Sequence, residues 1–402
     1  MRLVVSGKDN FFSVIFDISL LFYLIAYYVF YQDITPYAST VRLLATGLIF
    51  LSGCMISINR APVLDLHIAT YILFFIFGLI SIMWAKDDTL IISVISSMLR
   101  TIMVLYFVSV RVKTQEDIER VMIIHILAII FLNIFVLKLM IDFYSLSGFF
   151  LRRFGDNFAY NSNATSNLNA ISALFCIYFM KKSKKKIFPL ISLLFFIFII
   201  IICGSKQGMI ALVMGILLTI YLKGNLQKKF NTIIIAIIVV IVLWELLMNV
   251  PRLYETIGYR FEGFLGIGNA ISKDGSTLNR NHLLKQAFEV WMSHPLAGVG
   301  FNNFPVVQFV QSGYYYAHNN YMELLADLGI IGFFCFYMNY VRILRVKIDS
   351  SIPMQVLLKS LFYMIAFIDL AVVSYQDLRY QLPLYLIFLG LKRISRKEIN
   401  VT

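Results

Sequence analysis

The apolar residues of this chain lie in long, nearly uninterrupted runs, and the polar residues collect in the stretches between them. A transmembrane α-helix needs about 20 consecutive, mostly apolar residues, and most of these runs approach that length. Because lipid offers no partner to an exposed backbone N–H or C=O group, each run is predicted to be helical. The pattern predicts twelve spans, at residues 11–31, 42–58, 66–84, 89–110, 121–143, 168–180, 187–203, 207–222, 230–249, 318–341, 355–375 and 381–391.

The composition agrees with this pattern. Of the 402 residues, 60% are hydrophobic and 14% are charged, whereas a soluble protein carries about 25% charged residues. We therefore predict an all-α integral membrane protein with about twelve transmembrane helices, which form a single polytopic domain over residues 1–402. The sixth and the twelfth runs are the shortest, so they define their spans least sharply.

The distribution of Lys and Arg predicts the orientation, because cytoplasmic connections are enriched in these residues. With the N-terminus in the cytoplasm, one side of the membrane holds 21 Lys and Arg residues and the other side holds 11. Both termini are therefore predicted to be cytoplasmic. The formal net charge of +13 follows largely from these orientation-setting residues, so we expect no nucleic-acid partner.

Two long connections lie on the predicted outer side. Residues 250–317 join spans nine and ten, and because a structureless loop of that length is rare, this loop is predicted to be partly helical. Leu284, Ala287, Phe288 and Trp291 recur there at helical spacing, as in a helix at the membrane interface or against the bundle. Residues 144–167 form a second extracytoplasmic loop, rich in Asn, which suits helix capping or sugar contacts.

Little in the sequence indicates a cofactor. The four cysteines lack paired spacing, no group of His, Asp and Glu has the spacing of metal ligands, and no nucleotide-binding loop motif occurs. We therefore expect neither a metal nor another cofactor. Arg100 and Asp369 fall within predicted spans, where charge is costly and usually faces a polar cavity, but the sequence assigns them no role.

The segment 280–332 carries the most specific motifs. In order along the chain these are Arg280, Trp291, His294-Pro295-Leu296-Ala297-Gly298-Val299-Gly300, His318-Asn319-Asn320-Tyr321, Glu323 and Gly329-Ile330-Ile331-Gly332. The proline is expected to end a helix, and Gly298 and Gly300 to allow a tight turn. The second motif stands at the predicted outer end of the tenth span.

This arrangement resembles the O-antigen ligase and O-antigen polymerase family. Members of that family show an Arg and a Trp before a His-Pro-Leu-x-Gly-Val-Gly element, and then a His-Asn-x-Tyr element that leads into a helix with Gly-Ile-Ile-Gly. The family also has a Ser-Arg-x-Gly element upstream, where this chain has Ser205-Lys206-Gln207-Gly208, with Lys206 in place of the Arg. The spacing of Arg252 and Gly263 resembles a loop pattern of the polymerases.

The resemblance implies an enzyme of the bacterial cytoplasmic (inner) membrane, a metal-independent glycosyltransferase that acts on lipid-linked oligosaccharides. It would transfer a glycan from an undecaprenyl-pyrophosphate carrier to an acceptor hydroxyl at the outer face. As a polymerase it would extend the O-antigen or capsular repeat chain, and as a ligase it would move the finished chain to lipid A-core. The wide sequence variation of polymerases, which would tolerate Lys206, inclines the interpretation towards a polymerase.

The resemblance also implies roles for individual residues. His318 would take the proton of the acceptor hydroxyl, because imidazole titrates near neutrality. Arg280 would stabilise the negative charge of the leaving pyrophosphate. Further substrate-binding residues are predicted to be Lys206, Arg252, Arg260, Asn319, Tyr321 and Glu323.

The expected partners are the carrier-linked oligosaccharide, membrane lipids, and chain-length regulator and flippase proteins. A transporter or flippase is the alternative from another functional class, since these proteins can also have about twelve spans. Such proteins usually contain two related halves with broken helices at matching positions. The sequence shows no such repeat, and its longest connection is not central.

Overall fold

A computed structural model describes residues 8–30, 36–58, 64–149, 153–155, 161–224, 226–251, 254–259, 261–262, 275–308 and 316–394. The elements in these ranges are helical. The α-helices are α1 (Lys8–Val29), α2 (Ala38–Ile58), α3 (Leu66–Ile80), α4 (Asp88–Arg111), α5 (Gln115–Phe149), α6 (Ser162–Lys182), α7 (Ile187–Cys203), α8 (Lys206–Lys223), α9 (Leu226–Asn249), α10 (Gly275–Ser293), α11 (Phe304–Val307), α12 (Asn320–Leu344), α13 (Pro353–Ile368) and α14 (Leu378–Phe388). Short 3₁₀ or π-helical turns follow α3, α9 and α14.

Eight of the described helices are long and apolar enough to cross a membrane: α1, α2, α3, α4, α5, α8, α9 and α12. Helices α7 and α13 are apolar but shorter. Each of the twelve predicted spans overlaps a helix, and the remaining two spans fall on α6 and α14. The structure therefore indicates an all-helical membrane protein, while the number of twelve crossings stays a prediction.

Helix α6 is the predicted span with a run of buried polar residues near its start. Thr165, Ser166, Asn167 and Asn169 are fully buried where α6 packs among α5, α7 and α8. Asn169 exchanges side-chain hydrogen bonds with Asn133 of α5, at 2.7 and 3.3 Å. Because α6 is surrounded by other helices, its polar residues are kept away from lipid, which is consistent with its low hydropathy.

The second predicted outer loop is shorter than residues 144–167. Helix α5 continues to Phe149, and α6 already begins at Ser162. Asn161 starts α6 by accepting a hydrogen bond from the amide of Ala164 at 2.8 Å, so it acts as the cap that the Asn-rich composition suggested. Asn157 lies outside the described residues.

The predicted eleventh span, residues 355–375, also ends early, because α13 stops at Ile368. The chain then folds back into the bundle around Asp369. Its carboxylate accepts hydrogen bonds from the hydroxyls of Ser374 at 2.6 Å and Tyr340 at 2.7 Å. Asn320 fixes the same turn by accepting from the amides of Ser374 and Tyr375. The burial of Asp369 thus holds the connection between α13 and α14.

Helix α12 is interrupted at Gly329, where φ is +61° and ψ is −165°. An interruption leaves helix-end groups without intrahelical partners, and residues 295–300 supply those partners. Four backbone hydrogen bonds connect the two segments: Val299 N to Ala326 O (3.0 Å), Gly300 N to Asp327 O (2.9 Å), Ile330 N to Pro295 O (2.9 Å) and Ile331 N to Leu296 O (3.2 Å). The two glycine-containing motifs of the sequence are therefore one structural unit.

Helix α10 lies within residues 250–317, the connection that was predicted to be partly helical, and it buries one face against the bundle. The buried residues include Leu283, Ala287 and Val290, whereas Phe288 is 47% exposed. The reason is that α10 packs on α12 and on the residues around Phe304, which lie on one side of it. Of the four apolar residues that recur at helical spacing, Ala287 is fully buried, Leu284 and Trp291 are partly exposed, and Phe288 is largely exposed.

Candidate functional site

A cavity of about 1210 Å³ lies where several connections meet at one end of the bundle. Its walls come from α1, α2, α4, the start of α6, α10, the start of α12 and the connection between α13 and α14. This is the end that carries the connections predicted to be extracytoplasmic. The opposite end carries ion pairs such as Arg111 with Asp17 (2.9 Å) and Lys182 with Glu119 (2.6 Å).

The cavity brings together three residues that were predicted from the sequence: Arg280, His318 and Glu323. Arg280 comes from α10, His318 from the turn before α12, and Glu323 from the first turn of α12. Because α10 packs on α12, Arg280 is held across from this turn despite the sequence separation. The Arg280 segment and the His318 motif, which are far apart in the sequence, therefore contribute to one site.

Glu323 positions the backbone next to His318. Its Oε2 accepts a hydrogen bond from the amide of Ala317 at 2.5 Å, and its side chain is fully buried. The ring of Tyr316 lies 4.1 Å from the ring of His318, centroid to centroid. These contacts hold the imidazole in a defined place at the cavity wall.

His318 is kept neutral by its surroundings. Burial lowers the pKa of His318, and the positive charge of Arg280 lowers it further, to about 4. Both effects disfavour the imidazolium form. At neutral pH the side chain therefore has a nitrogen that can accept a proton, which is the state that a general base requires.

The backbone is strained at two points of the cavity wall. His318 has φ +54° and Asn302 has φ +55°, and they are the non-glycine residues with positive φ in the described part of the chain. Such conformations cost of order 1–3 kcal/mol and cluster at functional sites. Both residues line the cavity, so the strain coincides with the predicted catalytic position.

Asn319 and Tyr321 lie beside the cavity but do not line it. Asn319 is the N-cap of α12: its side chain accepts from the amide of Met322 at 3.0 Å and donates to the carbonyl of Leu370 at 3.2 Å. The Tyr321 hydroxyl donates to the carbonyl of Ala366 at 2.8 Å. Tyr321 thus connects α12 to α13, and Asn319 connects the start of α12 to the residues after α13. Their predicted contact with substrate stays a prediction.

Lys206 also lies outside the cavity wall, at the first position of α8. The preceding Ser205 donates its hydroxyl hydrogen to Asn163 Oδ1 at 2.8 Å, and Asn163 does line the cavity. Gly208 allows α8 to approach α6 closely, since an added Cβ would lie 1.8 Å from Ser166 Oγ. The Ser-x-x-Gly pattern therefore has a packing function, and Lys206 stands next to the rim.

Arg252 and Arg260 lie outside the described residues. Sequence reasoning missed three arginines that do line the cavity: Arg42, Arg100 and Arg379. Arg42 and Arg379 belong to the 11 basic residues of the predicted outer side, and the sequence assigned Arg100 no role. The signal for Arg100 was its place inside an apolar span, whereas nothing in the local sequence distinguished Asn302.

Within the described residues, no group of three or more His, Cys, Asp or Glu side chains is placed to hold a metal ion. The polar groups of the site are arginine side chains, a neutral imidazole and buried carboxyl groups. Such a set can bind an anion and accept a proton from a hydroxyl group.

In a comparison with protein families, residues 190–337 match the family described as O-antigen ligase. The match extends from α7 into α12 and includes Lys206, Arg280 and His318. The resemblance predicted from the motifs is confirmed for this part of the chain. No curated protein matches the sequence.

Proposed function

Residues 190–337 match the O-antigen ligase family, and we propose that this protein is a bacterial O-antigen or capsular polysaccharide polymerase. It would transfer glycan from an undecaprenyl-pyrophosphate carrier to the hydroxyl of an acceptor sugar, at the outer face of the cytoplasmic membrane. The observation that carries this proposal is that Arg280 and His318 line the same cavity. An anion-binding group and a neutral base stand in one site, as the reaction requires.

The proposed reaction exchanges one bond for another. The acceptor oxygen attacks the anomeric carbon of the donor glycan, and its proton passes to the imidazole of His318. The bond between the anomeric carbon and the pyrophosphate oxygen breaks, and undecaprenyl pyrophosphate leaves with the electron pair. Arg280 stabilises the charge on the departing phosphate, and the proton on His318 is then released to water.

The two residues are coupled through their charges. Burial and the charge of Arg280 lower the pKa of His318, which keeps the base neutral but also makes it weak. A bound pyrophosphate would neutralise the guanidinium and add negative charge nearby, and both effects raise the pKa of His318. His318 would then be a stronger base when the donor is bound. Before the donor binds, its low pKa would keep it from taking up a proton from solvent.

A ligase is the second candidate, because the matching family carries that description. The acceptor in a ligase would be lipid A-core instead of a repeat chain. The chemistry at Arg280 and His318 would be the same, so the cavity residues fit both enzymes. We also propose chain-length regulator and flippase proteins as partners, since a polymerase needs a supply of translocated substrate.

Deleting the protein in its host distinguishes these candidates. On a gel of surface glycan, single repeats on lipid core would indicate a polymerase, and polymer that remains on the carrier would indicate a ligase. An unchanged ladder would contradict both. The same assay with added chelator would test metal independence, for which we expect no change.

Variants of the purified full-length protein test the roles of the two residues. Arg280→Ala is expected to reduce transfer at least about tenfold, since a charge-assisted hydrogen bond contributes about 1.5–3 kcal/mol. His318→Ala should lose transfer while still binding undecaprenyl pyrophosphate. Lys285→Ala is the matched control, because this exposed cation on α10 does not line the cavity. Full activity in His318→Ala would remove the proposed base.

A further inference from the structure

Arg100 is a charged residue in the middle of a membrane-spanning helix. It is the thirteenth of the 24 residues of α4, about 18 Å along the helix from Asp88 at a rise of 1.5 Å per residue. Its side chain is exposed to the cavity. Within the described part of the chain it forms no hydrogen bond or ion pair.

The same face of α4 carries a stripe of hydroxyl groups. Ser96 and Ser97 lie three and four residues after Ser93, and Arg100 lies four and three residues after them, which places the four on one side of the helix. All four line the cavity. Ser93 bonds to the carbonyl of Leu90 in its own helix (2.6 Å). Polar side chains at such depth are expensive unless they face a polar ligand or water, so this face of α4 is a functional surface.

The cavity wall carries more positive than negative side chains. Four guanidinium groups line the cavity, from Arg42, Arg100, Arg280 and Arg379, against the two carboxyl groups of Glu323 and Asp377. Asp377 is engaged by Arg379, whose Nε lies 2.7 and 2.8 Å from its oxygens. Glu323 accepts from the amide of Ala317. Neither carboxylate therefore neutralises Arg100, and the site has capacity for an anion.

We propose that Arg100 and the serines of α4 form a second anion-binding subsite, apart from Arg280 and His318, for a phosphate or carboxylate group of the substrate. Arg100 supplies the charge. The serine hydroxyls donate to the oxyanion by rotating towards it, which for Ser93 and Ser97 means leaving the carbonyls of Leu90 (2.6 Å) and Gln376 (3.4 Å). The inference rests on the proposed function, because it assumes that carrier-linked glycan occupies this cavity. The anion comes from one of two sources: the pyrophosphate of a second carrier lipid, which bears the acceptor, or the carboxylate of an acidic sugar.

Binding measurements on the full-length protein in lipid nanodiscs test this proposal. The probes are undecaprenyl pyrophosphate, counted per protein by native mass spectrometry, and methyl glucuronide, titrated by calorimetry. The variants are Arg100→Gln, Arg100→Lys and Arg280→Gln. Lys86→Gln is the matched control, because this exposed cation precedes α4 but does not line the cavity. Thermal unfolding of each variant shows that it is folded.

The two sources of the anion give different results. If it is a second carrier, wild type binds two undecaprenyl pyrophosphates, and Arg100→Gln and Arg280→Gln each bind one. If it is an acidic sugar, Arg100→Gln weakens binding of methyl glucuronide about tenfold or more, and the single carrier site is lost only in Arg280→Gln. In both cases Arg100→Lys should retain part of the binding, and Lys86→Gln should match wild type.

Failure of this inference can be separated from failure of the proposed function. If Arg100→Gln binds both probes as wild type does, the second subsite is wrong, even when Arg280→Gln abolishes carrier binding. If wild type does not bind undecaprenyl pyrophosphate, or Arg280→Gln binds it unchanged, the proposed function itself is contradicted.

Discussion

His318 combines a left-handed backbone with a lowered side-chain pKa, and both features come from its neighbours. Glu323 fixes the amide of the preceding residue, and burial together with Arg280 disfavours the imidazolium. The folding free energy of the surrounding contacts maintains this arrangement. His318 therefore differs from a histidine at an ordinary helix start in its backbone conformation and in the pKa of its side chain.

The pH dependence of transfer should report this specialisation. The neutral imidazole is the base, and with a pKa of about 4 only about a tenth of the free enzyme is protonated at pH 5. We expect kcat/KM to fall less than twofold from pH 7 to pH 5, whereas an unperturbed histidine near 6.5 would lose most of its base form. The profile of kcat, which reports the substrate complex, should show a higher apparent pKa.

A fall in kcat/KM centred near pH 6.5 would contradict this prediction. The His318→Gln variant is the control, since any acid-side change that it retains comes from other groups. Glu323→Gln tests the neighbouring carboxyl group, because the amide oxygen of Gln can still accept from the backbone amide of Ala317 but the side chain can no longer ionise.

Gly298 and Gly329 are positions where no other residue fits. Both have positive φ, and an added Cβ would lie 2.3 Å from the backbone of the opposite segment. Gly329→Ala should lower stability by about 1–3 kcal/mol from backbone strain alone, with a further loss from the clash. A lower Tm of the purified protein in detergent is the measurement.

Gly47→Ala is the control for that experiment. A Cβ at Gly47 meets nothing within 4 Å, and alanine is favoured over glycine within a helix by roughly 0.5–1 kcal/mol. This variant should leave Tm unchanged or raise it. A Gly329→Ala protein as stable as wild type would show that the break in α12 is not needed.

At the scale of elements, the start of α12 has both a structural and a predicted binding function. Asn319 caps the helix, and serine is an equally good cap, whereas substitution by alanine costs about 0.5–2 kcal/mol. If capping is the main function of Asn319, Asn319→Ser should keep both Tm and transfer, and Asn319→Ala should lower Tm. Thermal unfolding and the transfer assay are measured together.

The contrary outcome for Asn319 is specific. If Asn319→Ser keeps the Tm of wild type but loses transfer more than about tenfold, the amide contacts substrate, as the motif resemblance implied. Tyr321→Phe offers the parallel case for the neighbouring residue, since it removes only the hydroxyl group that donates to Ala366.

The broken α12 illustrates how two motifs depend on one another. Without each other, residues 295–300 and the two helix ends at the break in α12 would have unpaired backbone N–H and C=O groups. Because each supplies the other with hydrogen bonds, irregular backbone is buried in protein rather than exposed to lipid. This pairing also brings α10, and with it Arg280, against the start of α12.

At the scale of the whole molecule, the predicted orientation places the cavity at the outer face. After replacement of Cys54, Cys176, Cys203 and Cys335 by serine, single cysteines can be introduced at exposed positions. In intact cells a membrane-impermeant maleimide is expected to label Leu296→Cys and Leu370→Cys. It should label Lys184→Cys and Ser350→Cys only after permeabilisation, because those positions belong to the predicted cytoplasmic connections.

The reverse labelling pattern would place Arg280 and His318 at the cytoplasmic face and end the proposed reaction. Transfer from a carrier on the outer leaflet needs the site on that side. The parent protein without cysteines serves as the background, and its transfer activity shows that the replacements are tolerated.

The sequence by itself determined the helices and the main catalytic candidates. Apolar runs must become helices in lipid, since each backbone group needs a partner within its own segment, and short-range motifs identified Arg280 and His318. Pattern alone did not decide which face of α10 packs on the bundle, and it placed the ends of two connections differently from the structure. Those boundaries depend on packing partners that lie far away in the sequence.

Only the tertiary structure decided which charges share a cavity. Arg42, Arg100 and Arg379 belong to three different helices, and no local pattern relates them to Arg280. The polar residues of α6 likewise became interpretable only when their partners on other helices were known. Hydrogen bonding along the chain is local and can be inferred from sequence, whereas the electrostatic environment of a site is the sum of groups that folding brings together.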